Sequence, residues 1–80
     1  MDISRRVEAL LNLWCERRSL RALRWALQGW PLSAGLTDEW ASLLLALQNV
    51  RVFAREELTA TELRSVDELV SDVQQIVYRN

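Results

Sequence analysis

The chain has 80 residues, half of them apolar, and its ten basic residues are all arginine against eleven acids, for a net charge of −1. That length closes one hydrophobic core but not two, so a single domain over residues 1–80 is expected. A lone cysteine excludes an intramolecular disulfide, and the absence of histidine excludes Cys/His metal sites and the commonest general base.

A core of this size rarely supplies more than ~3 to 5 kcal/mol unaided, so tight helix packing or self-association has to substitute for staples. Residues 1–6 lead into a mixed helical pattern rather than a continuous apolar stretch, and no run approaches the ~20 apolar residues of a membrane span. The expectation is a soluble cytoplasmic protein with no membrane association. Arginine in place of every lysine is the bias of a GC-rich, bacterial genome.

Apolar residues recur at helical spacing almost throughout, and proline and glycine occur only between Gly29 and Gly35. The expected fold class is therefore all-α, a compact bundle of four helices at about 3–17, 20–28, 38–55 and 60–78. In the first, Ile3, Val7, Leu10, Leu11 and Trp14 form one apolar stripe. The second takes Ser19 as N-cap, buries Leu20, Leu23 and Leu27, and stops at Gly29 in the left-handed position, with Pro31 preventing continuation. No strong breaker lies between Glu16 and Ser19, so a kinked continuous helix is the alternative there.

Thr37 caps the third helix, whose first turn carries Asp38 and Glu39. Its main stripe is Trp40, Leu43, Leu44, Leu47, Val50 and Ala54. Ala41, Leu45 and Val52 form a second apolar strip, Phe53 lies off the main face, and Arg51 falls near the core side. So broad an apolar circumference requires more than one neighbour. Thr59 and Glu62 then form a capping box, with Leu58 and Leu63 as its hydrophobic staple. The fourth helix buries Leu63, Val66, Leu69, Val70, Val73, Ile76 and Val77, and keeps Arg64, Asp67, Glu68, Ser71, Asp72 and Gln75 outside.

Catalytic chemistry finds little support. Cys15 lies at the edge of the first stripe beside Arg17 and Arg18 and reads as a half-buried structural thiol before it reads as a reactive one. The pairs Asp38/Glu39 and Glu56/Glu57 are adjacent on their helices and do not converge, whereas Glu68 and Asp72 share a face that reads as solvated surface. No glycine-rich phosphate loop is present. We therefore expect no enzyme, no cofactor and no metal.

Charge is unevenly distributed. Residues 1–30 carry six arginines against three acids, and residues 31–80 carry four against eight. Pairing of basic with acidic helices at their rims is one explanation. The other is a contact surface, since Trp14 to Trp30 holds three tryptophans and four arginines. At 100° per residue, Arg17, Arg21, Arg24 and Gln28 fall within a sector of roughly 60° on a continuous helix, and Trp25 stands between Arg18 and Arg21, away from the leucines. Two arrangements fit Trp25. It is covered by the Trp30 loop, with α-helix neighbours approaching closely over Ala22 and Ala26, or it is exposed among arginines as in a binding hot spot.

The preferred expectation is a small helical interaction module of the inhibitor, immunity or adaptor kind, docking a protein partner or a second copy through Arg17, Arg18, Arg21, Arg24, Trp25, Leu45 and Val52. The alternative is nucleic-acid or phosphate binding through the Arg17–Arg24 stripe with Trp25 stacking on a base. Against that stand a pI near 5.3 and the lack of a reader motif.

Overall fold

A computed structural model describes residues 3–30 and 37–78. Four helices form the all-α bundle expected: α1 (Ile3–Arg17), α2 (Leu20–Ala26), α3 (Thr37–Phe53) and α4 (Ala60–Tyr78), with a 3₁₀ turn at Arg55–Glu57 between the last two. The segment 31–36, with its proline stop, and the Thr37 capping side chain lie outside the described residues. The Cα radius of gyration, 11.6 Å, is that of a folded 80-residue globule.

Helix α3 packs against both α2 and α4, and α1 closes the bundle against the same two helices. This gives α3 the central position that is one reading of its broad apolar circumference, yet Leu45 and Val52 of its second strip stay exposed. Its stripe Leu43, Leu44, Leu47, Val50 and Ala54 is buried, joined by Ala46, and meets Val66, Leu69, Val70 and Val73 of α4 and Ile3, Val7, Leu10, Leu11 and Trp14 of α1 in one cluster. Trp40 is partly buried against that cluster, as are Leu58 and Val77, whereas Ile76 faces solvent.

The junction of α1 and α2 is a break, not a kink. Ser19 N–H donates to the Trp14 carbonyl (2.8 Å) and Arg18 N–H to the Cys15 carbonyl (3.2 Å). This is the paired closure of a Schellman stop. Arg18 occupies the left-handed position, φ 58°, where glycine is usual. The sequence hides this stop because its defining residue has a side chain.

Helix α2 corrects the largest expectation. Ala22 and Ala26 are fully buried, whereas Leu20 is 70% and Leu27 53% exposed and Leu23 is only partly covered. The reason is steric. Ala22, Ala26 and Gly29 recur at four and three residues, and this face of small residues lets α2 lie close on α3. A Cβ added at Gly29 would sit 2.5 Å from the Ser42 carbonyl oxygen, 2.7 Å from Leu43 Cα and 2.9 Å from Ala46 Cβ. Gly29 is thus required for close approach, and its φ lies outside the left-handed range expected of it. Leucines on that face would hold the two helices apart, so the face with less apolar area is the one that packs.

Candidate partner-docking surface

The sequence-selected arginines separate into two groups. Arg17, the last residue of α1, forks onto Glu62 of α4: Nη1 donates to Oε2 (2.5 Å) and Nη2 to Oε1 (2.7 Å). Nη2 also donates to the Glu57 carbonyl (2.7 Å) and Nε to Ser19 Oγ (3.2 Å). Glu62 is 6% exposed, and its carboxylate further accepts the Trp14 indole N–H (3.2 Å) and the Thr59 backbone N–H (3.3 Å). Glu62 N–H donates to Thr59 Oγ1 (3.1 Å), completing the capping box read from the sequence. Hydrogen bonding from Arg17 holds the Glu62 carboxyl below the usual carboxylate range against the opposing effect of its burial. The same bond raises the Arg17 pKa. Arg17 therefore ties α1 to α4 while its side chain stays 40% exposed.

Arg6 behaves alike. It contacts Asp72 (2.7 Å) and Glu68 (3.9 Å), so the i, i+4 acids of α4 hold an arginine of α1, and Arg51 of α3 pairs with Asp67 (3.2 Å). Arg6 and Arg17 thus pair the basic half of the chain with the acidic half, whereas Arg51–Asp67 lies within the acidic half. Among the described residues, the ion pairs do not include the side chains of Arg18, Arg21 or Arg24. Because α1 ends at Arg17 and α2 begins at Leu20, the continuous stripe Arg17–Arg24–Gln28 does not form.

Arg21, Arg24 and Trp25 do converge. With Leu20, Phe53 and Glu57 they line a shallow concavity between α2 and the C-terminal end of α3. Trp25 is partly buried and stacks on the exposed Phe53 at 4.9 Å between ring centroids and 25° between planes. Trp25 thus meets Phe53, a contact that neither arrangement weighed from the sequence included; Trp30 itself packs, partly buried, on the core cluster. Glu57 closes the concavity and its Oε1 accepts the Ala22 N–H (3.0 Å), satisfying one of the free donors in the first turn of α2. Ser19 stands at the N-cap position of α2 but makes no side-chain cap.

Leu45 and Val52 are exposed on the outer face of α3 and do not line the concavity. Sequence reasoning missed Leu20 and Leu27 as surface, having assigned both to the core; Phe53, read as lying off the main face, is exposed as that placement implies. Cys15 is exposed, not half-buried. Among the described residues, no group of three or more Cys, Asp or Glu side chains is placed to hold a metal ion, and no helix is long and apolar enough to cross a membrane.

Comparison of the chain with protein-family models, with curated proteins and with solved structures finds no match.

Proposed function

We propose that this chain is a small non-enzymatic interaction module of the cytoplasm that docks another protein through the outward face of α2 and the adjoining end of α3. The observation that carries the reading is the leucine stripe of α2. Leu20 and Leu27 lie on the solvent side with Leu23 at its margin, and Leu20 also lines an aromatic-walled concavity with Arg21 and Arg24, which are outside the ion pairs of the described residues. Apolar side chains gathered on one face of a monomer and rimmed by charge mark a surface used for association. Aromatic and arginine side chains are the types that supply binding hot spots. Phosphate recognition is the weaker reading, because leucine occupies the centre of this face and Arg17 is engaged with Glu62.

Site-specific photo-cross-linking tests this in cells that express the chain. A photoreactive residue at position 20 or 27 should give an adduct with a second protein, and one at Gln75 on the exposed side of α4 should not. Absence of adducts at 20 and 27, or the same adducts from all three positions, would contradict the proposal.

A further inference from the structure

We infer that the occupant of the α2 face is the apolar stripe of an acidic amphipathic helix from a different protein, an inference that rests on the docking role proposed above. The first ground is shape. Leu20 and Leu27 are seven residues apart, about 10.5 Å along the axis, the length of two turns of a facing helix. Side chains at i, i+3 and i+7 of such a helix match Leu20, Leu23 and Leu27. Of the three leucines, Leu20 also lines the concavity walled by Trp25 and Phe53, so an apolar side chain seated beside Leu20 would reach that wall. The face is itself helical and has no free strand edge, which selects helix-on-helix recognition over strand addition.

The second ground is charge. Arg21 and Arg24 line the concavity and Arg18 precedes it at the α1–α2 break, all three outside the ion pairs of the described residues. The one acid in the lining, Glu57, has an oxygen committed to the Ala22 N–H. Carboxylates flanking the partner's apolar stripe would meet these guanidinium groups as charge-assisted hydrogen bonds. A second copy of this chain, docked symmetrically on the same face, would instead set Arg21 and Arg24 against their own equivalents. Like charges so placed disfavour association. Nucleic acid would find the right charges but a leucine surface between them.

Two synthetic helical peptides of about 18 residues serve as probes. Both carry leucine at i, i+3 and i+7, one flanked by glutamate and the other by lysine in the same positions. A mixed-sequence single-stranded DNA of similar length is the third probe. Fluorescence anisotropy with the full chain should give the acidic peptide a Kd on the order of 10 μM at about 50 mM salt. Its affinity should fall severalfold at about 200 mM salt, and the lysine peptide should bind at least about tenfold more weakly. Arg21→Glu with Arg24→Glu should reverse the peptide preference. Arg21→Gln with Arg24→Gln, a milder change that guards against misfolding, should reduce the salt dependence to the share left by Arg18, with the helical circular dichroism unchanged in both.

Equal binding of the two peptides, binding of neither, or tighter binding of the DNA would overturn the inference. A cross-link from position 20 to a second protein, together with equal affinity for the two peptides, would overturn the acidic partner alone and leave the docking role standing. Loss of both the cross-link and peptide binding would remove the two together.

Discussion

Replacing Glu62 by alanine tests the contact that joins the two ends of the chain. Trp14 is 1% exposed and its indole N–H has Glu62 Oε1 as acceptor. Removing the carboxylate leaves that donor buried and unpaired, a loss of ~1 to 3 kcal/mol. The Thr59 N–H loses its acceptor as well, adding up to about 1 kcal/mol, whereas Thr59 Oγ1 still caps the N–H of residue 62. Arg17, whose side chain is 40% exposed, can turn to water and adds little. The expected total is ~3 kcal/mol, most of the ~3 to 5 kcal/mol that a core of this size provides. At ~4 to 8 °C per kcal/mol for a chain of this length, the midpoint of thermal unfolding should fall by about 15 °C. Urea unfolding followed by tryptophan fluorescence and by circular dichroism gives the free-energy difference directly. Thr59→Ala, which breaks the cap but keeps the Trp14 bond, should cost about 1 kcal/mol. If Glu62→Ala costs less than about 0.5 kcal/mol, or no more than Thr59→Ala, the Trp14–Glu62–Arg17 cluster does not hold α1 to α4 as described.

Glu62 also sets a pH dependence. Its pKa is lower in the folded chain than in the unfolded one, so its contribution is complete above the ordinary glutamate range and is lost as pH falls toward the folded value. Unfolding midpoints measured across the acid range should drop in wild type and drop less steeply in Glu62→Gln. Gly29→Ala should destabilise by ~1 to 3 kcal/mol in chemical denaturation, because the new methyl meets backbone atoms of Ser42 and Leu43 that have no room to yield. Arg18→Gly should have the opposite sign, stabilising by about 1 kcal/mol in the same assay, since glycine adopts the left-handed position without strain.

The helices were legible in the sequence because each announces itself locally. The bounds of α1 and α4 match those read from the apolar period and from the Thr59–Glu62 box, whose two reciprocal hydrogen bonds are present, whereas α2 and α3 each end two residues before the position expected. What was not legible depends on which faces meet. On α2 the spacing of Leu20, Leu23 and Leu27 matches a buried stripe, and apolar area alone assigns it to the core. The decisive signal is the competing face of small residues, Ala22, Ala26 and Gly29, facing Ala46 and the backbone of α3. Its readable mark was the four-and-three spacing of residues with little or no side chain. The Arg17–Glu62 pairing spans 45 positions and has no local signature. It converts an apparently free arginine into a tie between α1 and α4, while Arg21, Arg24 and the partly buried Trp25 line one concavity.

The central claim is that the leucine face of α2 belongs to a partner and not to the core, and the double variant Leu20→Gln, Leu27→Gln tests it most directly. Its stability and its cross-linking from a photoreactive residue at position 24 are measured on the same protein. The account predicts unfolding within about 0.5 kcal/mol of wild type, as expected for exposed positions, together with loss of the cross-linked adduct. A variant destabilised by ~2 to 5 kcal/mol, as for truncated core leucines, or one that retains the adduct undiminished, would contradict it.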